Sequence, residues 1–289
     1  YWMPLQSWLI AGAAALLGPG FRVAQLPGLL LVCALPVVSY WIGRRWLGST
    51  IAAWTGYGLT LFSGWYYLFA ATTDSFGPFG LLTAAVLISA ARPTPRRLLI
   101  AGPLIGMAVL TRLDGALLLL PLAWGAYRSD RQGRLAAVCG FGIGLALVAP
   151  WFWRNWQIVN GLIAPGASKA VFLRHYAQLF AVDPTGEASL RGFLAWGAGE
   201  IALSRLRGFG TALISPYGLA GVVGLPFAPL AAVGLWLRWR SGGLREYAPV
   251  ALFAMALALI GGLVYPVVTE RGTLLHAGNR VADEDANAV

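Results

Sequence analysis

The residues best placed to do chemistry are Arg112 and Asp114, in the stretch Thr111-Arg112-Leu113-Asp114-Gly115 between apolar runs at 98–110 and 116–127. A guanidinium and a carboxylate flanked by membrane-grade sequence are costly unless they face a polar cavity, pair internally or meet a substrate. Two readings fit. Arg112 and Asp114 form a local ion pair that merely neutralises the turn, or Arg112 anchors an anionic head group, since its planar fork of N–H donors matches phosphate geometry. Asp74, in Thr72-Thr73-Asp74, precedes the apolar run 76–91. On residue type alone it suits the N-cap of a helix starting near Phe76, because aspartate caps well and helix N-termini favour anions.

The elements that position these groups follow from composition. With 58% hydrophobic residues, 11% charged residues and a mean hydropathy of +0.69 over 289 residues, the chain lies far from soluble domains and reads as an integral membrane protein. Its 37 Gly and 17 Pro are spread through the apolar runs, where neighbouring helices can re-satisfy the backbone. The run at 2–17 is short for a span and suits an interfacial helix. Spans are expected at 26–42, 51–71, 76–91, 98–110, 116–127, 135–152, 213–237 and 247–268, with a more polar outer segment at 157–211. The fold class is therefore all-α: a transmembrane helical bundle of about eight spans plus the interfacial helix, with short helices in the outer segment. Residues 1–277 form a single domain and 278–289 a polar, disordered tail. Cys33 and Cys139 sit within apolar stretches and are expected as small buried hydrophobes.

Charge decides whether the opening stretch is a turn or the middle of one long helix. If it is a turn, Arg44, Arg45, Arg92, Arg96, Arg97, Arg128, Arg131, Arg134, Arg238, Arg240 and Arg245 share one side, eleven of the 21 basic residues. The positive-inside rule puts that side in the cytoplasm. Asp74, Asp114, Asp183, Glu187, Glu200 and Glu270 then fall outside, with Asp130 and Glu246 inside. A single helix would flip everything from Arg128 onward and break the pattern. The net charge of +10 is thus topology, since the basic residues neither cluster on one face nor interleave with stacking aromatics, and a nucleic-acid role is excluded. Two runs of 13 and 12 apolar residues cover about 20 Å each against a core of about 30 Å. The turn is accordingly expected below the outer surface, in an outward-facing pocket.

Several motifs in order resemble a known family. They are Tyr1-Trp2-Met3-Pro4-Leu5, Arg22-Val23-Ala24-Gln25-Leu26-Pro27 opening a span, Gly43-Arg44-Arg45-Trp46-Leu47-Gly48, Thr73-Asp74, the run Gly102 to Asp114, and Ala149-Pro150-Trp151 with Arg154-Asn155. The chain resembles membrane glycosyltransferases of the GT-C class, within it the group of protein O-mannosyltransferases and the lipid A aminoarabinose transferase, over about residues 1–160. The resemblance implies inverting transfer of a sugar from a polyprenyl-phosphate donor to a glycan, lipid or protein acceptor. The expected setting is the outer face of a bacterial plasma membrane. A carboxylate would accept the acceptor's proton while cationic groups or a metal stabilise the departing phosphate. In the family the chief acidic residues lie in a first outer loop before the stretch matching Tyr1 to Trp8. No Asp or Glu precedes Asp74 here, so the expectation is a chain that begins part-way through a longer protein.

Asp74 matches the family's second acidic position, implying an auxiliary catalytic role in which it orients the acceptor or helps bind a divalent cation. Arg154 and Asn155 read either as an aromatic-belt arginine with its neighbour or as a phosphate or sugar contact. Lys169, the chain's single lysine, and His175 read as solvated loop charges or as lipid-phosphate contacts. Glu200, Arg205 and Arg207 suit salt bridges on an outer surface. Gly102/Gly106 and Gly140/Gly144 have GxxxG spacing, the mark of close helix packing. The alternative function is a transporter or flippase of a lipid-linked anionic substrate, with Arg112 and Asp114 on its path. Such transporters show paired broken helices, and one break is visible here.

Overall fold

The computed structural model describes residues 3–46, 48–62, 73–163, 172, 189–214, 233–234, 236–237, 240 and 243–264. Regular structure among them is helical, without a strand: α1 (Pro4–Leu17), α2 (Phe21–Trp46), α3 (Thr50–Leu61), α4 (Phe76–Ala91), α5 (Pro95–Thr111), a 3-10 turn (Leu113–Leu118), α6 (Leu119–Tyr127), α7 (Arg131–Val159), α8 (Leu190–Ala195), α9 (Ala198–Ile214), a 3-10 turn (Gly243–Glu246) and α10 (Ala248–Val264).

Short polar residues start the helices that rise from the arginine-rich turns. Ser49 accepts from the Ala52 N–H at 3.2 Å, Thr94 from Arg97 at 3.3 Å and Asp130 from Gly133 at 2.8 Å, so α3, α5 and α7 each begin on a side-chain cap. Pro95 adds a residue whose missing N–H costs nothing at a first turn. Further along, α2 carries Pro27 and Pro36 in its interior and stays helical over 26 residues, as a helix flanked by others can.

Helix α5 is central. Leu98, Ala101, Ile105 and Ala108 on it pack with Val86 of α4, Leu118 and Leu122 of the turn and α6, Ala137 of α7 and Phe253 of α10. The tightest seam joins α5 to α7. A Cβ on Gly102 would overlap the Gly140 carbonyl, and one on Gly106 would come within 2.6 Å of the Gly144 oxygen. The two GxxxG motifs therefore face each other, which lets the backbones touch where lipid supplies no hydrophobic drive. This register makes α5 and α7 parallel. Gly77 against Gly28 and Val32, and Gly80 against Leu35, make α2 and α4 parallel too.

Two helices, α2 and α7, are long and apolar enough to cross a membrane, and only 17% and 22% of their apolar windows are buried, unlike the core helices of soluble proteins. Four shorter apolar helices accompany them, Pro4–Leu17, Phe76–Ala91, Leu113–Tyr127 and Ala248–Ile260. The protein is thus a multi-pass membrane protein, but length and apolarity among the described residues qualify two helices rather than eight. Expected spans at 51–71, 213–237 and 247–268 and the outer segment at 157–211 run into residues outside the described ones, and the tail at 278–289 lies wholly outside them. Two further expectations change. Cys33 and Cys139 are exposed on the outsides of α2 and α7 rather than buried. Arg205 is not on a surface: it is 8% exposed, with its guanidinium 5.0 Å from the Phe193 ring.

Candidate functional site

The opening stretch is a turn. Thr111 ends α5 with its hydroxyl donating to the Met107 carbonyl at 2.8 Å, so that side chain is engaged by its own helix. Arg112 is extended, its N–H still bonded to Ala108 at 2.8 Å, and the Gly115 N–H returns to the Arg112 carbonyl at 2.9 Å. Glycine is required at 115 because a Cβ there would lie 2.6 Å from the Ala108 carbonyl carbon. The chain then doubles back: Gly125, near the end of α6, sits against Leu98, near the start of α5. With Gly102 opposite Gly140 and Gly106 opposite Gly144, Arg112 is level with Pro150. From there α7 runs on to Val159, ~13 Å farther at about 1.5 Å per residue. The turn is therefore set well below the end of its neighbour.

Arg112 and Asp114 are paired, with Nε 3.0 Å from Oδ1 and 3.2 Å from Oδ2. Their side chains are 33% and 25% exposed, so the pair is half-buried rather than sealed. The Arg112 guanidinium also lies 5.2 Å from the Phe76 ring and 5.6 Å from that of Phe79, contacts that hold a cation by its attraction to the ring face. Those two rings open α4, directly after Asp74. The structure thus brings Asp74 and Arg112, 38 positions apart in sequence, to the same end of the bundle.

Asp74 is not the N-cap. Ser75 holds that position without a side-chain cap bond, while the Asp74 Oδ1 accepts from the Ser75 N–H at 2.6 Å and its hydroxyl at 3.2 Å. The carboxylate is fixed one residue earlier than expected. Gln6, which sequence reasoning did not single out as functional, reaches the same loop: it is buried, and its Nε2 donates to the Thr73 carbonyl at 3.3 Å. Its Oε1 is buried without a hydrogen-bond partner. A polar amide inside an otherwise apolar helix was the available signal.

Arg154 and Asn155 lie within α7, which continues to Val159. Arg154 lies over the Trp151 ring at 4.9 Å, and Asn155 donates to the Leu162 carbonyl at 3.2 Å, tying down the chain that follows. Lys169 and His175 lie outside the described residues. Among the described residues there is no group of three His, Cys, Asp or Glu that could hold a metal.

The fold and this site define a class: a multi-pass, all-helical membrane protein with a half-buried guanidinium–carboxylate pair in a recessed turn. The family described as dolichyl-phosphate-mannose-protein mannosyltransferase matches residues 3–153, just over half of the 289, and the chain belongs to that family. No curated protein and no solved structure matches the chain. The matched stretch contains Asp74, Arg112 and Asp114 and ends one residue before Arg154. At the level of the family, the protein is a glycosyltransferase.

Proposed function

We propose that the protein transfers a sugar from a polyprenyl-phosphate donor to an acceptor on the outer side of the membrane, with Arg112 holding the phosphate that departs. The observation that carries this reading is the placement of Arg112, recessed, half-exposed and beside the start of α4, within the family-matched region. A guanidinium carries five N–H donors in a planar fork, a geometry that matches the oxygens of a phosphate. As the bond from the anomeric carbon to the phosphate oxygen breaks, negative charge grows on that oxygen, and a fixed cation lowers the barrier. Asp114 orients the guanidinium. Asp74, immobilised by Ser75, takes an auxiliary part in orienting the acceptor.

Arg154, Asn155, Lys169 and His175 are assigned as further contacts to the donor. The arginine-rich end faces the cytoplasm under the positive-inside rule, and the membrane is a bacterial plasma membrane. No step is routed through a metal.

The test is sugar transfer by the full-length protein from a synthetic polyprenyl-phosphate sugar. Arg112→Ala should lower kcat by about 100-fold, the scale of losing one charge-stabilising donor, with membrane insertion unchanged. Arg112→Lys should recover only part, because it keeps the charge and loses the fork. Parent-like activity in Arg112→Ala would reduce the pair to a neutralised turn.

A further inference from the structure

A groove between α2 and α4 is lined by Val37, Val38 and Trp41 on one helix and Leu81, Ala85 and Ile88 on the other, with a volume of about 350 Å³ and almost no polar surface. On each helix these residues stand one turn apart, and each stripe runs on into an arginine. On α2 the line Val37–Trp41 continues to Arg45, and on α4 the line Leu81–Ala85–Ile88 continues to Arg92, because positions three and four apart share a helix face. Arg45 is exposed and the Arg92 side chain is 37% exposed. Arg97 donates to the Arg92 carbonyl at 2.9 Å, and Arg44 and Arg96 are exposed at the same end.

Two described carboxylates belong to this end of the bundle. Glu246 is 3.3 Å from Arg92, and Asp130 is engaged as the cap of α7. Five guanidinium groups at this end of the bundle, with those of Arg45 and Arg92 in line with the groove, thus outnumber the described acidic groups there. From Leu81 to Arg92, α4 rises ~16 Å, about half of a ~30 Å hydrocarbon core. The groove is one leaflet deep, apolar along its length and basic at its mouth.

We infer that it seats an anionic glycerophospholipid of the cytoplasmic leaflet, with acyl chain along the six apolar residues and phosphate among Arg45, Arg92 and Arg97. Clustered arginines at a membrane face attract anionic lipid in this way. A carrier whose phosphate sits at Arg112 has its head group at the opposite end of the bundle, so the charge at this mouth runs the wrong way for it. The inference shares with the proposed function only the side assigned to the cytoplasm, and its test reads binding rather than sugar transfer.

The full-length protein, stripped of lipid in neutral detergent, is titrated with phosphatidylglycerol and with phosphatidylcholine of matched chains, and retention is read by native mass spectrometry. Phosphatidylglycerol should bind about tenfold more tightly, and Arg45→Gln should lose about fivefold of that, the equivalent of ~1 kcal/mol per basic residue. Arg45→Lys should keep most of the binding. Ala85→Phe, which fills the groove without changing charge, should weaken both lipids, whereas Glu246→Gln should strengthen phosphatidylglycerol. Equal retention of the two lipids, or parent-like binding in Arg45→Gln or Ala85→Phe, would overturn the inference. Displacement of phosphatidylglycerol by a polyprenyl phosphate, dependent on Arg45, would also overturn it and give the groove to the carrier.

Discussion

Arg92 and Arg112 occupy opposite ends of the bundle in almost the same dress. Each guanidinium lies 5.2 Å from an aromatic ring, Trp46 for Arg92 and Phe76 for Arg112, and each pairs with one carboxylate, Glu246 at 3.3 Å and Asp114 at 3.0 Å. The difference is in what the pairs join. Arg92 and Glu246 are 154 positions apart, so their contact fastens the end of α4 to the turn before α10. Arg112 and Asp114 are two positions apart in a turn that backbone hydrogen bonds already close. One arginine is a staple between distant segments. The other's ion pair is confined to one turn, and its guanidinium reaches α4 through the Phe76 and Phe79 rings.

Four substitutions probe that contrast. The largest effect is expected from Gly102→Val, which forces side-chain atoms into the Gly140 backbone and should cost ~3 kcal/mol or more by overpacking. Because α5 carries Arg112 at its end, this variant should lose both thermal stability and transfer, showing what a scaffold defect looks like. Arg92→Ala comes next. Its partner is 44% exposed and the pair is screened by solvent, so the loss should be only ~1 kcal/mol, shared between the ion pair and the contact with Trp46. A double-mutant cycle with Glu246→Gln should give a non-zero coupling in thermal unfolding. Arg112→Ala should shift the midpoint by less than Arg92→Ala does. An equal or larger shift would make Arg112 a staple as well and erase the contrast. The smallest effect is expected for Asp114→Asn, below about 0.5 kcal/mol on stability, the scale of a half-exposed local pair. Its transfer rate should fall less than that of Arg112→Ala.

The features that could be read from the sequence were those set by local chemistry. Charge side and run length marked Thr111 to Gly115 as a recessed turn, and four-residue glycine spacing marked the seam of α5 with α7. The glycine spacing is a local signal and the charge side follows from the order of charges along the chain, so neither needs tertiary contacts. Partnerships across long separations were not legible. Nothing near Arg92 in sequence points to Glu246, and nothing near Gln6 points to Thr73, because packing chooses those partners. Arg205 had the same problem, since burial over Phe193 depends on how α8 and α9 pack. Capping by Asp74 was displaced by one residue because Ser75, equally able to start a helix, took the position. The span count differs for another reason: an apolar run such as α4, with 16 helical residues, falls short of bilayer thickness by itself.

The central claim is that Arg112 binds the phosphate of a polyprenyl carrier, and a binding measurement tests it without any need for turnover. The full-length protein and its Arg112→Ala variant are titrated with a polyprenyl phosphate and with the corresponding alcohol. Loss of a charge-assisted hydrogen bond to phosphate corresponds to ~1.5–3 kcal/mol. The phosphate should therefore bind the variant about 10- to 100-fold more weakly, while the alcohol binds both proteins alike. Equal affinity of the two proteins for the polyprenyl phosphate would contradict the account and leave Arg112 and Asp114 as a neutralised turn.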